Sequence, residues 1–436
     1  MKLFDFSLKL NGFKINEAKD ALKAIQSIRE TEYDNYLATK REEIVNYHLA
    51  NNSFYKSFAK NANPQDWESL PVMYKSDLQY PLEKLLSSKF TKSRVYIDKT
   101  SGASGQPFIF AKDKFCHALT WSVIIDRFSW LNINFNHSKQ ARFYGIPKDI
   151  RGFYKEKIKD FLGNRKRFNV FDLSDRAFED WIQVFKSTQF EYINGYTSPI
   201  VLFAKYLMTK KIKLNTICPT LRVCVVTSEI LFDTDRLLME TQFGVPVINE
   251  YGASELDLIA FENSKKEWII NNETLFVEVL DENDNPLPYG EEGRLVITSL
   301  YNKAQAFIRY DIGDIGIISK ESTPKKMLLK KLIGRTNDTV ILPSGKKAAG
   351  LTFYYITKSI IESDNLVKEF VIEQQKKDTF KIIYESEKML SKEKEAFVKS
   401  EMTGYLEKGL HILFEKQDKI HRSKSGKLKQ FTSLIN

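Results

Sequence analysis

Cysteine is scarce in this sequence, which has only Cys116, Cys218 and Cys224 among its 436 residues. Their spacing forms neither a CxxC pair nor the clustered pattern of a zinc site. A sparse and odd-numbered set is typical of proteins in reducing compartments, where disulfides are rare. The cysteine content therefore argues against a disulfide-stabilised secreted scaffold and predicts a cytoplasmic protein.

Long apolar runs are missing as well. Residues 1–13 are interrupted by the charged side chains of Lys2, Asp5 and Lys9, so they lack the apolar core of a signal peptide. No stretch approaches the roughly 18 apolar residues that a membrane-spanning helix requires. We therefore expect no membrane span.

The overall composition is that of a folded globular chain, with 42% hydrophobic and 28% charged residues. The length predicts roughly two or three domains. The net charge of +10 would favour binding of a nucleic acid, an anionic membrane or small polyanions such as ATP and coenzyme A. Most often, however, such a charge reflects only a solvated lysine-rich surface. Since no known nucleic-acid recognition motif occurs in the sequence, we expect no nucleic-acid partner.

Strand and helix patterns alternate in the middle of the chain. Residues 221–226 form an apolar run of strand length, and a helix that begins near residues 233–234 is expected to end before Gly244. Residues 245–248 are the next predicted strand. A strand–helix–strand unit at this spacing indicates a parallel sheet, whose ligands bind beyond the carboxyl ends of the strands. The residues directly after this second strand are therefore candidates for a binding site.

The pattern changes twice further along the chain. Residues 274–280 and 294–299 are predicted to form a β-hairpin around a turn-rich stretch. After about residue 334, the pattern predicts a small α+β domain with these elements in order: helix 352–361, strands 369–372 and 380–384, helix 392–406 and strand 411–414. We therefore divide the chain into a large domain of residues 1–336 and a small domain of residues 337–436.

The segment TSGASGQP at residues 100–107 is a loop rich in hydroxyl groups and glycine between two predicted strands. Such a loop can surround a phosphate with backbone N–H groups and hydroxyls. It is not a Walker loop, because the GK[ST] ending and the following helix are missing. Taken alone, the pattern is more often that of a simple hairpin turn, so both interpretations stay open at this point.

Three further motifs carry groups suited to a nucleotide site. NEYGASE follows the predicted strand and offers Tyr251 for stacking on a base and Glu255 for Mg²⁺. RYDIGD offers Asp314 as an acceptor for ribose hydroxyls. SGK places Lys427 in a basic tail beside a glycine, from where it can reach a phosphate. In isolation each has an ordinary alternative, namely a loop carboxylate, a turn aspartate and a solvated charge.

Taken in order, TSGASGQP, EYGASE, RYDIGD, GRTND and SGK resemble the signature motifs of the adenylate-forming superfamily of acyl-CoA synthetases, adenylation domains and luciferases. The segment NGYTSP at residues 194–199 is similar to the phenylacetate–CoA ligase branch, which includes capsule-biosynthesis and coenzyme F390 synthetase relatives. The resemblance extends from about residue 50 to the end of the chain. Several motifs in the right order and spacing are far more specific than any one of them alone.

The resemblance implies an α/β fold with a large N-terminal domain, a β-rich subdomain and a small mobile C-terminal α+β domain. It also implies roles for individual residues. ATP phosphates would bind at Thr100, Ser101, Gly102, Ser104 and Gly105; adenine and the acyl phosphate at Tyr251 and Gly252; the α-phosphate at Ser254; Mg²⁺ at Glu255; and ribose at Asp314 and Arg335. Lys427 would lie between the acid and the α-phosphate, and the catalytic residues would be Lys427, Glu255 and Ser254.

The reaction implied by the resemblance is activation of a carboxylic acid by ATP to an acyl-adenylate, followed by acyl transfer to coenzyme A or another thiol. Two alternatives stay open. One is adenylyl transfer onto a hydroxyl, as in coenzyme F390 synthetase, and the other is acyl transfer to an amino sugar or amine in surface-polysaccharide biosynthesis. The implied cofactors are ATP and Mg²⁺, coenzyme A is one candidate acceptor, and a homodimer is one option for the assembly.

The sequence departs from the family pattern at several positions. The phosphate loop ends at Pro107 without the lysine that often follows, and the hinge position falls on Asn337, where the family usually has Asp or Lys. Residues 344–350, SGKKAAG, replace a SGVNVFP-like stretch, and residues 142–147, RFYGIP, occupy the place of the aromatic pocket segment of phenylacetate ligases. Phenylacetate is therefore not the expected acid, and the residues of the second step are not assigned.

Overall fold

A computed structural model describes residues 3–100, 108–145, 150–335, 339–345, 347–349, 367–405, 407–422 and 426–435. The chain divides into two compact units. The first comprises Met1–Ile312 and Ile318–Lys330, and the second comprises Gly313–Ile317 and Lys331–Asn436. Within the described residues, no helix combines the length and the apolar character needed to cross a membrane.

The helices of the first unit lie before and between its strands. They are α1 (Leu3–Leu10), α2 (Ile15–Ser27), α3 (Glu30–Asn51), α4 (Ser53–Phe58), α5 (Leu82–Leu85), α6 (Lys114–Ser129), α7 (Ile150–Leu162), α8 (Asp175–Ser187), α9 (Thr197–Thr209), α10 (Leu214–Ile217) and α11 (Asp233–Phe243).

The strands up to residue 335 form a hairpin and two larger sheets. They are β1 (Val95–Lys99), β2 (Ile109–Asp113), β3 (Gln140–Phe143), β4 (Arg165–Phe168), β5 (Tyr192–Tyr196), β6 (Val223–Thr227), β7 (Val247–Ala253), β8 (Asp257–Glu262), β9 (Trp268–Ile270), β10 (Leu275–Leu280), β11 (Glu292–Ser299), β12 (Tyr310–Ile318) and β13 (Leu329–Arg335). Strands β1 and β2 pair antiparallel on either side of the TSGASGQP loop.

The largest sheet has seven strands in the order β4-β3-β5-β6-β7-β8-β9. Its first five strands are parallel, and β8 and β9 add antiparallel. The predicted strand–helix–strand unit is confirmed as β6, α11 and β7. Helix α11 ends at Gly244, which takes the left-handed conformation with a φ of 69° that glycine adopts at little cost.

Side chains alternate between the two faces of this sheet, and the two faces differ in chemistry. One face is apolar along its length and packs into a core with Phe178, Phe203 and Met239 from α8, α9 and α11. The opposite face is apolar only near the strand starts, where Val225 and Ile248 pack against α2 and α6. Toward the carboxyl ends of the strands this second face becomes polar, which is where ligands bind in parallel sheets.

The predicted hairpin at residues 274–299 is also confirmed. Strands β10 and β11 pair antiparallel from Leu275 opposite Ser299 to Leu280 opposite Arg294. The sheet order is β10-β11-β12-β13.

The remaining strands and one helix form the α+β part of the second unit. They are β14 (Thr339–Ile341), β15 (Lys347–Ala349), β16 (Val367–Lys376), β17 (Thr379–Ser386), α12 (Lys392–Tyr405), β18 (His411–Gln417) and β19 (Phe431–Ser433). The sheet order is β18-β17-β16-β19, with β14 and β15 paired separately. The strands and the helix predicted after residue 369 are therefore confirmed, whereas the helix predicted at residues 352–361 lies outside the described residues.

Candidate active site

The EYGASE motif comprises the end of β7, the last parallel strand, and the start of the tight turn that leads into β8. Tyr251 is buried and packs edge-on against Trp268, with 6.1 Å between the ring centroids. Gly252 is required by close packing, because a Cβ added there would lie 2.3 Å from the carbonyl oxygen of Asp257. Ser254 is exposed in the turn itself. The reversal therefore presents one exposed hydroxyl beside a tightly packed backbone.

Glu255 lies on the protein side of this turn and is buried. Its Oε1 accepts a hydrogen bond from the Tyr310 hydroxyl at 2.9 Å. Tyr310 begins β12 and belongs to the RYDIGD motif, so this bond joins two of the motifs identified in the sequence. A hydroxyl donor fixes the orientation of the carboxylate and leaves it able to accept further bonds.

Lys112 in β2, the strand that follows the TSGASGQP loop, contacts the same turn. Its Nζ donates to the carbonyl oxygen of Ser254 at 3.2 Å and forms an ion pair with Asp257. Lys112 is 2% exposed, so its ammonium group is shielded from water. Asp257 has a positive φ of 60°, and the ion pair holds this unusual backbone at the start of β8.

Thr100 closes the base of the loop between β1 and β2. Its N–H donates to the carbonyl oxygen of Phe108 at 3.0 Å. The N–H of Phe108 in turn donates to Oγ1 of Thr100 at 3.1 Å. The other four predicted phosphate-loop residues, Ser101, Gly102, Ser104 and Gly105, lie outside the described residues.

The rest of the RYDIGD motif is held by structural contacts. The Arg309 guanidinium is 1% exposed and donates to the carbonyl oxygens of Glu68 and Leu70. Asp311 forms an ion pair with Arg294 at 2.6 Å. These contacts build the scaffold that positions Tyr310 between them.

A polar group of side chains lies at the carboxyl ends of the neighbouring parallel strands. We name it the strand-end cluster, and it consists of Arg142, Tyr144, Asn194, Thr227 and Glu250. In the strand register Arg142 is opposite Asn194, and Thr227 is opposite Glu250. The Tyr144 hydroxyl donates to Oδ1 of Asn194 at 3.3 Å, and the Arg142 guanidinium lies 4.0 Å from the centre of the Tyr144 ring.

The electrostatics of this cluster are unusual at Glu250. Removal from water raises the pKa of its carboxyl group to about 7, while the Thr227 hydroxyl and the positive charge of Arg142 act in the opposite direction. Glu250 nevertheless keeps some accessible surface. A perturbed pKa at the end of a parallel strand is typical of functional sites.

No family model matches the chain. Protein CapK of Staphylococcus aureus is 24% identical over 364 residues, which span 76% of this chain and 74% of CapK. The phenylacetate-coenzyme A ligase of Aromatoleum evansii is 23% identical over 341 residues, which span 74% of each chain. The chain is thus similar to members of the adenylate-forming superfamily. Both relatives agree with its phenylacetate–CoA ligase-like branch.

The fold agrees with this assignment. The solved 2-hydroxyisobutyryl-CoA ligase, in the postadenylation state with R3-HIB-AMP, is similar with a TM-score of 0.71 and 15% sequence identity. The match covers 94% of this chain and 91% of that chain. The predicted α/β fold of the adenylate-forming enzymes is thereby confirmed.

The structure brings some of the predicted site residues together. Thr100, Tyr251, Gly252, Ser254 and Glu255 all lie in the first unit. Tyr251 and Gly252 are in the last part of β7, and Ser254 and Glu255 are in the turn that follows it. The other three lie in the second unit: Asp314 is buried in β12, Arg335 ends β13, and Lys427 is half-buried after Gly426. The hinge position Asn337 lies outside the described residues.

Several residues of the site were missed by reasoning from sequence. Lys112 is a charged residue directly after the apolar run Ile109–Ala111 of β2, and a buried strand that ends on a charge is a signal that sequence analysis can use. Glu250 is the charged residue directly before Tyr251, and the position alone gives no hint of its surroundings. Tyr310 lies within RYDIGD, but the motif does not distinguish it from its polar neighbours. Thr227 carries no signal, because an isolated hydroxyl in a strand is ordinary.

Proposed function

We propose that this chain is a ligase that activates a carboxylic acid with ATP, forms an acyl-adenylate and pyrophosphate, and then transfers the acyl group to coenzyme A or another thiol. The observation that carries the proposal is that the EYGASE and RYDIGD motifs meet at one turn, which Lys112 of β2 also contacts. Lys112 reaches that turn from the strand that follows the TSGASGQP loop, and Tyr310 reaches it from RYDIGD. Residues far apart in the sequence are thus assembled where a nucleotide is expected.

The chemistry explains why such an assembly is needed. A carboxylate is a poor electrophile, so its oxygen attacks the α-phosphorus of ATP and pyrophosphate leaves. Two anions must approach each other, and fixed positive charge or a metal ion has to offset their repulsion. The loop closed by Thr100 offers backbone donors to the phosphates, and Ser254 offers an exposed hydroxyl to the α-phosphate.

Glu255 is the residue we propose to hold Mg²⁺. In the described part of the chain no three His, Cys, Asp or Glu side chains gather in a way that could bind a metal. This agrees with Mg²⁺, which is usually held by one or two carboxylates, water and the substrate's own phosphates. The bond from Tyr310 orients Glu255 and fits that use. Bound Mg²⁺ would supply charge neutralisation at the phosphates.

Three residues of the second unit complete the proposal. Asp314 would accept hydrogen bonds from the ribose hydroxyls, with Arg335 in support. Lys427 would offset the negative charge that builds between the acid and the α-phosphate. We propose that the small domain, residues 337–436, moves relative to residues 1–336 between the two half-reactions, as in enzymes that use one site for two steps. The cytoplasmic location and a homodimer stay predictions from the sequence.

ATP–pyrophosphate exchange across a panel of aryl, fatty, hydroxy and amino acids tests the proposal. We expect exchange with one class of acid, and a loss of at least about 100-fold in Lys427→Ala. The matched control is Lys419→Ala, an exposed lysine in the same basic tail, which should retain exchange. No exchange with any acid, from protein that is folded and binds ATP, would refute carboxylate activation.

Product analysis then identifies the acceptor. A thioester together with free AMP supports transfer to coenzyme A or another thiol. AMP that stays covalently attached to a hydroxyl would instead establish adenylyl transfer, and an amide on an amino sugar or amine would establish the third alternative.

A further inference from the structure

Helix α7 carries a stripe of exposed apolar side chains. Among the described residues, eighteen large apolar side chains are exposed, and five of them belong to the thirteen residues of α7. These five are Ile150, Phe153, Tyr154, Ile158 and Phe161, of which Ile150 is 76% and Phe161 is 74% exposed. Positions 150, 154, 158 and 161 follow each other at intervals of three or four residues, so their side chains project from one side of the helix. Single exposed apolar residues are normal, whereas a contiguous apolar surface indicates a binding site.

The side of α7 that faces the protein is polar. Asp160 is buried and forms ion pairs with Arg165 at 2.7 Å and with Arg167 at 2.9 Å. Glu156 forms an ion pair with Arg167 at 2.6 Å. Both arginines belong to β4, the strand that follows α7. A surface helix ordinarily turns its apolar side to the core and its polar side to water, so α7 has the reverse orientation.

The exposed charges on α7 are positive. Among the side chains that the structure describes on this helix, the exposed charged ones are Lys155, Lys157 and Lys159. Lys159 also pairs with Glu156 at 2.8 Å, and the Lys157 ammonium lies 5.4 Å from the centre of the Phe153 ring. The two carboxylates of the helix are held by the arginines of β4. The surface therefore combines protruding apolar groups with lysines, a combination that complements an anionic lipid surface.

Lys157 distinguishes between the kinds of partner that such a surface could bind. It lies one helical turn from Phe153 and from Phe161, so its stem is within the apolar stripe. The centres of protein–protein interfaces are depleted in lysine, and two copies of this chain packed stripe to stripe would bring their lysines together. At a membrane surface, by contrast, the stem of a lysine lies along the acyl chains while its ammonium reaches the headgroups. Tyr154 suits the same boundary, where amphipathic rings are enriched.

We propose that α7 is a membrane-docking helix that inserts its apolar stripe into the surface of an anionic bilayer. The helix lies in the plane of the interface and does not span the membrane, as is usual for basic amphipathic helices. Helix α1 lies beside α7 and also exposes two apolar side chains, Phe6 and Leu10. The inference is independent of acid activation, since none of these residues belongs to the candidate active site.

Vesicle sedimentation tests the inference with the full chain, in the absence of ATP and of any acid. Binding is compared between vesicles of phosphatidylcholine alone and vesicles that also contain about 30% phosphatidylglycerol. We expect the partition coefficient to be at least about tenfold larger for the anionic vesicles, and to fall when the ionic strength is raised to about 0.5 M. Failure to bind anionic vesicles, or equal binding to both kinds, would overturn the inference.

A substitution at an exposed position connects binding to α7. Phe161→Asp should lower the partition coefficient for anionic vesicles at least about tenfold, because a charged group replaces an inserted ring. The matched control is Leu237→Asp, which alters a residue of α11 that is 66% exposed and should bind like the parent. Circular dichroism checks that both variants are folded. Unchanged binding by folded Phe161→Asp would overturn the assignment to α7.

Charge variants give a second readout and serve if the aspartate variant does not fold. Lys155→Gln combined with Lys157→Gln leaves the apolar stripe in place and should reduce the preference for anionic vesicles to below about threefold. The matched control combines Lys376→Gln with Lys377→Gln, two exposed lysines at the turn between β16 and β17, and should keep the preference. A full preference in the α7 double variant would overturn the proposal that this helix docks on anionic lipid.

Sedimentation velocity without vesicles tests whether the stripe instead binds a second copy of the chain. We expect the same assembly state for the parent and for Phe161→Asp, because the lysines oppose contact between two stripes. A dimer that this variant dissociates would assign the stripe to a contact between copies and overturn the inference.

Discussion

Replacing Glu250 by glutamine is expected to stabilise the first unit at alkaline pH and to change its stability little in acid. Burial raises the pKa of this carboxyl group from its ordinary value of 4.5 to about 7. Between pH 4.5 and about 7, the carboxyl group of Glu250 therefore keeps its proton in the folded protein but has lost it in the unfolded chain. Stability from the protonated form is complete below about pH 4.5 and is lost as the pH rises through about 7.

The size of the effect follows from the two pKa values. The difference between 4.5 and about 7 corresponds to at most about 3.5 kcal/mol at about 1.4 kcal/mol per pKa unit, and partial access of solvent to the carboxylate lowers that figure. Glutamine carries no charge at any pH and can still accept a hydrogen bond from Thr227. We therefore expect Glu250→Gln to raise the free energy of unfolding by about 2 to 3 kcal/mol near pH 8 and by less than about 1 kcal/mol near pH 5.

Urea unfolding followed by tryptophan fluorescence measures this difference. All five tryptophans lie in the first unit, so the signal reports on the unit that contains Glu250. Glu321→Gln, at an exposed carboxylate, should show no such dependence on pH. A stability change for Glu250→Gln that is the same at both pH values would refute the reasoning, because the expected difference comes only from ionisation of the Glu250 carboxyl group.

Three further predictions concern the scaffold around the turn. Gly252→Ala should cost about 1–3 kcal/mol of unfolding free energy, because the new Cβ would lie 2.3 Å from the Asp257 carbonyl oxygen; an unchanged urea midpoint would contradict this close approach. Tyr310→Phe removes the hydrogen bond to Glu255 and should cost about 1 kcal/mol in the same assay, and a variant as stable as the parent would show that the bond contributes nothing. Arg309→Met removes a fully buried guanidinium that contacts backbone carbonyl oxygens and a buried carboxylate. Thermal unfolding should therefore show a loss of about 3–5 kcal/mol in the free energy of unfolding. A loss below about 1 kcal/mol would count against the structural role of Arg309.

Local patterns in the sequence were sufficient for many elements of the fold. The alternation at residues 274–299 predicted the hairpin formed by β10 and β11, and the pattern after residue 369 predicted the strands and helix of the second unit. The spacing of apolar residues and the residue types of a turn depend only on neighbouring residues, so they can be recognised without knowing the rest of the chain. The motif order likewise predicted the superfamily.

The same patterns could not separate structural residues from functional ones within a motif. In RYDIGD, Arg309 and Asp311 are fixed by buried contacts, whereas Tyr310 reaches Glu255. All three are polar residues in one short segment, and their neighbours in sequence are the same. What distinguishes them is the set of partners that the fold brings from elsewhere.

The sequence by itself therefore determined the class of protein, the order of its elements and the segments in which chemistry is expected. Only the tertiary structure decided which side chains meet: Lys112 reaches a partner 145 residues away at Asp257, and Tyr310 reaches Glu255 across 55 residues. It also decided that Glu250 and Arg142 share one face of the sheet and that burial shifts the pKa of this glutamate. Electrostatic energies depend on distance and on exclusion of water, and neither quantity exists until strands from distant parts of the chain lie side by side.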